Sequence, residues 1–182
     1  LKSLVNIKIE QNLEDAVVVA LGSNLPGPYA SAEALLEAAL ASFPLVGLEI
    51  VKRSLWWRSA AWPPSALPDY LNGVVLVETK LGARATLAAL FDLERTFGRV
   101  RGAANAPRTL DLDLIAYGRR VIQEQGLIVP HPRAAERRFV MGPLAQIAPD
   151  WTHPVSGLSA AALTESATIG MDARPIGQIG RA

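Results

Sequence analysis

The chain has no cysteine. That excludes a disulfide framework and a thiolate metal site, and it permits a reducing compartment. It has little excess charge, a formal +1 at pH 7, which disfavours bulk adhesion to nucleic acid or anionic membrane. No apolar run approaches the roughly 20 residues needed to cross a bilayer, and the first residues lack a signal-peptide layout. A cytoplasmic location is therefore expected. No Gly-x-x-x-x-Gly-Lys-Ser/Thr stretch occurs, which excludes a P-loop enzyme. Lysine is missing from the whole window that holds Arg99, Arg101, Arg108, Arg119, Arg120, Arg133, Arg137 and Arg138. Exclusive arginine suits bidentate recognition of phosphate or carboxylate, although a genome rich in arginine codons would leave the same mark.

What is present is a chain of 182 residues, 50% hydrophobic, enough for one substantial core and one domain. Its most informative stretch is Pro107-Arg108-Thr109-Leu110-Asp111-Leu112-Asp113-Leu114-Ile115-Ala116-Tyr117. Apolar and polar residues alternate, the pattern of a half-buried strand. Leu110, Leu112, Leu114 and Ala116 are assigned to the core face, and Thr109, Asp111, Asp113, Ile115 and Tyr117 to the other. The two carboxylates then project side by side, their Cα atoms about 6.6 Å apart. Like charges at that distance repel by roughly 2–3 kcal/mol at an effective dielectric near 20. A bound cation removes that cost. Oxygen ligands favour Mg²⁺ or Mn²⁺, and Arg108 at the strand mouth favours a nearby phosphate.

The rest of the chain is read around this strand. Residues 1–14 suggest an arm or edge strand. Ala16–Leu21 reads as a central strand ending in Gly22-Ser23-Asn24, either an ordinary turn or a source of backbone donors for a ligand. Ala32, Leu35, Leu36, Ala39, Leu40 and Phe43 mark an amphipathic helix stopped by Pro44. Leu48–Arg58 is expected to be one long strand, and Ser59–Pro68 a stiff loop able to cover a site. Tyr70–Thr79 is the next strand, with Tyr70, Asn72, Val74 and Leu76 on one face. An aromatic beside an amide can hold a flat heterocycle by stacking and hydrogen bonding. Ala83–Phe97 forms the second helix, stopped by Gly98. Glu94 lies within its apolar arc, so its carboxylate must be paired, ligand-bound or at a pocket rim; a bridge to Arg99 or Arg101 would satisfy it.

Beyond the acidic strand, Leu127–Val129 is a short strand running into Pro130-His131-Pro132-Arg133. A histidine between two prolines has a restricted backbone, suited to a positioned ligand. His153-Pro154 lacks surrounding arginines and is read as structural. Phe139–Ile147 is an apolar core segment in which Pro143 is expected to start a helix. Residues 1–163 are assigned to a single domain and 164–182 to a mobile tail. The element order gives an α+β fold. It is a ferredoxin-like βαββαβ sandwich with an antiparallel sheet, helices on one face and C-terminal additions. That leaves the opposite face for Tyr70, Asn72, Asp111 and Asp113.

An Asp-x-Asp can also announce an aspartyl-phosphate phosphatase, but Leu114-Ile115 follows where that mechanism wants Thr or Val. Glycosidase carboxylates sit on separate elements flanking a sugar, so an adjacent pair fits less well. A sheet that stacks single-stranded RNA wants a positive face, which Asp111 and Asp113 oppose. Phosphoryl or pyrophosphoryl transfer remains, and a nucleotidyltransferase using the same carboxylates is the rival within that class.

The ordered set Leu21-Gly22-Ser23-Asn24, Tyr70-Leu71-Asn72, Gly98-Arg99-Val100-Arg101, Pro107 to Asp113, and Val129-Pro130-His131-Pro132-Arg133 with Glu136-Arg137 and Phe139 closely resembles the 6-hydroxymethyl-7,8-dihydropterin pyrophosphokinase family. The resemblance runs from about Val17 to Pro154. It implies a folate-biosynthetic enzyme that moves the β,γ-pyrophosphate of ATP onto a pterin hydroxymethyl group and releases AMP. It further implies that Asp111 and Asp113 hold two Mg²⁺ ions and act with Arg99 and Arg108 as the catalytic set. Arg99, Arg101, Arg108, His131 and Arg137 would bind ATP. Tyr70 and Phe139 would sandwich the pterin, with Ser59, Ala60 and Asn72 reading its edge, and Glu94 would be a supporting residue. ATP and the pterin are the expected partners of a monomer. Two departures stand out: Ala103-Ala104-Asn105-Ala106 lacks the tryptophan many relatives carry there, and Ala60-Ala61 replaces a stretch often holding proline.

Overall fold

The computed structural model describes residues 15–61, 66–99 and 109–177. The expected arm, Arg101, Arg108 and the tryptophan-free loop lie outside the described residues. The first strand, β1 (Val17–Ser23), leads to α1 (Ala32–Ser42). Ser31 caps α1, its hydroxyl accepting from the Ala34 N–H at 3.0 Å. Pro44 then tightens the chain into a 3₁₀ turn (Phe43–Val46), and Gly47 at φ 79° ends it. Next come β2 (Glu49–Arg53), β3 (Trp57–Ser59), β4 (Tyr70–Glu78), α2 (Ala83–Thr96) and β5 (Asp111–Tyr117). A hairpin of β6 (Ile122–Glu124) and β7 (Leu127–Val129) precedes a 3₁₀ turn (Ala134–Glu136), α3 (Arg138–Ile147), α4 (Ala160–Ser166) and β8 (Arg174–Pro175).

The main sheet runs β5-β1-β4-β3-β8, with β2 beside β4, and its pairs are antiparallel. This is the ferredoxin-like order, with the second strand split into β2 and β3. One face of the sheet carries Val17, Val19, Leu21, Val75, Val77, Leu112 and Leu114 against Leu35, Leu36 and Leu40 of α1 and Leu90 and Leu93 of α2. On the other face, Val18, Val74, Leu76 and Ile115 pack against Val140, Met141 and Leu144 of α3 and Leu163 of α4. The second face is therefore half covered. The C-terminal helices close one end of it, and the end carrying Ala20, Gly22, Asn72, Asp111 and Asp113 stays open as a cavity.

Three expectations are corrected. The alternation along β5 breaks at Ile115: Val19 pairs Leu114 while Val18 pairs Ala116, so Ile115 is the extra residue of a bulge. Ala116 therefore joins the α3 side, and Tyr117 turns to the helix side, where its hydroxyl donates to the Leu81 carbonyl at 2.5 Å. The single strand expected over Leu48–Arg58 is broken at Ser54–Trp56. Trp56 dives into the α1–α2 side over Gly73, where a Cβ would stand 2.6 Å from the indole, and Ser54 Oγ accepts from the Val74 N–H at 3.0 Å. The helix expected to start at Pro143 starts at Arg138 and carries Pro143 inside it, at the cost of one backbone bond.

The expected tail is also not featureless. Thr164–Ser166 completes α4, and Arg174 and Pro175 pair with Arg58 and Trp57 of β3. His153 is structural, as expected: its Nδ1 accepts from the Val155 and Ser156 N–H groups at 3.3 and 3.2 Å.

Trp57 ties α3 to the sheet. Its ring covers Gly142, where a Cβ would meet Cζ3 at 2.5 Å, and its Nε1 donates to Gln146 at 3.2 Å. Gly142→Ala is expected to cost roughly 1–3 kcal/mol through overpacking. Urea unfolding should show a lower midpoint with unchanged slope; an unchanged midpoint would mean the ring has room to slide.

Candidate active site

The cavity has a volume of about 380 Å³ and is built from one end of the sheet. Its floor depends on small residues of β1: Ala20 faces Asp113 and Gly22 faces Asp111 in the β1–β5 register. On the same face nearer α3, Val18 and Leu76 fill the space. This change in side-chain size turns a core face into a site, and both carboxylates line it.

Asp111 is held by Arg99, whose Nη1 lies 2.7 Å from Oδ1. The same guanidinium pairs with Glu94 at the end of α2. Glu94 is only 1% exposed, and its Oε1 accepts from the Leu112 N–H at 2.7 Å. Burial pushes its carboxyl up to about 7, against the opposing pull of the Leu112 N–H and Arg99. Of the two partners proposed from sequence, the structure shows Arg99.

Asp113 faces Arg137, with Nη1 at 3.9 Å from Oδ2. Arg137 also lies over the Phe139 ring, 5.8 Å from its centroid. His131 enters because of the β5 bulge: the Ile115 carbonyl turned out by it accepts from the His131 N–H at 2.8 Å. His131 Nδ1 accepts from the Arg133 N–H at 3.2 Å, so the neutral ring carries its proton on Nε2, a donor suited to a phosphate oxygen. Burial lowers the His131 pKa, with Asp113 pulling the other way.

Opposite these charged groups, Ser59, Ala60, Tyr70, Asn72 and Phe139 line the same cavity. Ser59 and Tyr70 are paired across β3 and β4. Asn72 is buried, and its Nδ2 donates to Ser59 Oγ at 2.9 Å, which fixes the amide plane. The structure thus brings together Asp111, Asp113, His131, Arg137, Ser59, Ala60, Tyr70, Asn72 and Phe139, with Arg99 and Glu94 behind Asp111.

Arg133, counted in the arginine-rich window but not among the residues expected to bind ATP, also lines the cavity. The Pro-His-Pro-Arg spacing was the available signal. Ala20 was missed because a small residue in a strand leaves no chemical trace in the sequence, and Gly22, expected in a turn, lies inside β1 opposite Asp111. The backbone of Ala60 is not open as expected: its N–H donates to Asp172 Oδ2 at 2.6 Å.

Among the described residues no group of three or more acidic or histidine side chains converges on one point. The Asp pair alone therefore offers a partial oxygen shell. This fits Mg²⁺, which commonly takes one or two carboxylates and completes its octahedron with substrate phosphate and water. The arrangement can do one thing well: hold a polyphosphate between carboxylates and arginines, with a flat group against Tyr70 and Phe139.

Comparison with known proteins agrees. The model of the 7,8-dihydro-6-hydroxymethylpterin-pyrophosphokinase (HPPK) family matches residues 18–149. The 2-amino-4-hydroxy-6-hydroxymethyldihydropteridine pyrophosphokinase of Synechocystis sp. is 44% identical over 149 residues, covering 81% of this chain and 74% of the relative. The Haemophilus influenzae protein of the same name is 38% identical over 138 residues, 76% of this chain and 84% of its own. The folic acid synthesis protein fol1 of Pneumocystis carinii is 36% identical over 171 residues, 93% of this chain and only 22% of the relative. A crystal structure of Plasmodium falciparum HPPK-DHPS shares the fold with a TM-score of 0.66 at 12% identity, over 88% of this chain and 47% of that one. The chain belongs to the 7,8-dihydro-6-hydroxymethylpterin-pyrophosphokinase family, the ATP-dependent diphosphotransferases of folate biosynthesis.

Proposed function

We propose that Asp111 and Asp113 hold two Mg²⁺ ions on the phosphates of ATP, and that the acceptor is 6-hydroxymethyl-7,8-dihydropterin bound between Tyr70 and Phe139. The observation that carries this reading is the shared cavity, with its carboxylates opposite Ala20 and Gly22 and its aromatic wall across from them. Mg²⁺ at the carboxylates supplies charge neutralisation to the phosphate oxygens. Arg137 and His131 bind phosphate oxygens from the side, and Arg99, beside Asp111, adds its positive charge at the phosphate end. Arg101 and Arg108 join them on the strength of the motif alone.

Asn72 and Ser59 read the polar edge of the pterin with the Ala60 carbonyl, the Ala60 N–H being held by Asp172. The hydroxymethyl oxygen attacks the β-phosphorus in line, the bond from that phosphorus to the α,β-bridging oxygen breaks, AMP leaves carrying that oxygen, and the hydroxyl proton passes to solvent. Positioning and charge neutralisation do most of the catalysis. A single catalytic domain, acting as a cytoplasmic monomer without nucleic acid or membrane partners, completes the proposal. Among the described residues no helix is long and apolar enough to cross a membrane.

The test is to incubate the protein with ATP, Mg²⁺ and the pterin and follow nucleotides by chromatography. AMP formation that needs both pterin and Mg²⁺ is expected. Release of pyrophosphate in place of AMP would establish the nucleotidyltransferase instead.

A further inference from the structure

The family match ends at residue 149, yet the chain beyond it touches both walls of the acceptor half of the cavity. The Thr168 and Ile169 N–H groups donate to the Glu136 carbonyl at 3.1 and 2.9 Å, and the Ile169 carbonyl accepts from the Arg138 N–H at 2.9 Å. This fastens the segment to the start of α3, which carries Phe139. Gly170 then adopts φ 70° against the Phe139 ring, so close that a Cβ would stand 2.4 Å from Cδ1. Two residues on, Asp172 Oδ2 accepts from the Ala60 N–H at 2.6 Å. Arg174 and Pro175 pair with β3, and the Ile176 N–H donates to the Trp56 carbonyl at 2.8 Å.

One short strap thus joins the Phe139 wall to the Ser59–Ala60 wall. The two walls come from elements far apart in sequence, α3 and β3. We propose that Asp172 is a positioning residue for the acceptor substrate: by holding the Ala60 backbone across from a ring seated on Gly170, it sets the width of the slot for the flat acceptor. The strap's contact nearest ATP is the bridge of Ile169 to Arg137, whereas Asp172, three residues on, bonds the acceptor wall at Ala60, so loss of its carboxylate falls on the acceptor. This inference rests on the assignment of Phe139 to the pterin side.

The physical cause is a charge-assisted hydrogen bond to a backbone amide, weakened by exposure. In Asp172→Ala the full-length protein should show the pterin KM raised about fivefold, with the ATP KM unchanged and kcat altered less than twofold. Asp172→Asn keeps an acceptor oxygen and should restore the pterin KM to within about twofold of the native value. Hydrogen exchange at the Ala60 amide, followed by NMR, should speed up in Asp172→Ala and recover in Asp172→Asn.

Equal rises in both KM values would make Asp172 merely structural and overturn the proposal. So would an unchanged pterin KM in Asp172→Ala, or failure of Asp172→Asn to rescue it. Phe139→Ala separates the two levels of the argument. If it raises the pterin KM while Asp172→Ala does not, the strap alone is refuted; if neither raises it, the assignment of Phe139 falls and the strap with it.

Discussion

Asp113→Asn is expected to lower kcat for pterin-dependent AMP formation by about 10³-fold, and Asp111→Asn by a similar factor. Loss of one preorganised electrostatic contact to the reacting charge typically costs 10²–10³ in rate, and loss of a metal ligand acts on the same charge. The fold should survive. Asp113 stands 3.9 Å from Arg137 and two residues from another carboxylate on the same sheet face, so its neutralisation removes a repulsion as well as an attraction. Asp113→Asn without ligands should therefore melt within a few degrees of the native protein. The native protein should gain thermal stability on addition of ATP with Mg²⁺, and the variant much less. A variant that keeps a tenth of the native kcat would show that this carboxylate does not hold the phosphate-bound metal.

The acidic strand was legible because its chemistry and its periodicity coincide. Two carboxylates two residues apart in an apolar alternation leave few alternatives to a charged, ligand-facing sheet edge. Its far end was misread, since a bulge is set by pairing with β1 and nothing in Leu114-Ile115-Ala116 announces it. That bulge has a use: the carbonyl it frees anchors His131 beside Asp113. Motif spacing predicted the neighbourhood, and only the pairing explains it.

The same limit applies to β2 and β3. Leu48–Arg58 reads as one apolar-rich strand, but Gly73, on a different strand, makes the hole that Trp56 fills. The C-terminal segment failed for a third reason. Its contacts are made by Gly170, Asp172 and backbone groups, which carry no hydrophobic period to detect. Local pattern decided the elements buried by their own side chains. It did not decide those held by another element's backbone.

Glu94 joins the two kinds of information. The helical wheel placed a carboxylate in an apolar arc, and the structure gives it Arg99 and the Leu112 N–H. Glu94→Ala leaves a half-buried guanidinium with one partner fewer and a buried amide without its acceptor. A loss of about 3–5 kcal/mol is expected, read as a lower urea midpoint. Because Arg99 also holds Asp111, the ATP KM should rise in the same variant.

The pH dependence gives a second readout. Burial favours the protonated carboxyl in the folded chain, raising its pKa from 4.5 to about 7, so the folded state binds more protons than the unfolded one between those values. Stability from this group is fully present below pH 4.5 and is lost as pH rises through about 7, a change of order 3 kcal/mol. Glu94→Gln cannot ionise. Its urea midpoint should stay flatter than the native one between pH 5 and pH 7.5. If the native midpoint instead runs parallel to that of Glu94→Gln over that interval, the Arg99 pair outweighs burial, and Glu94 is ionised throughout.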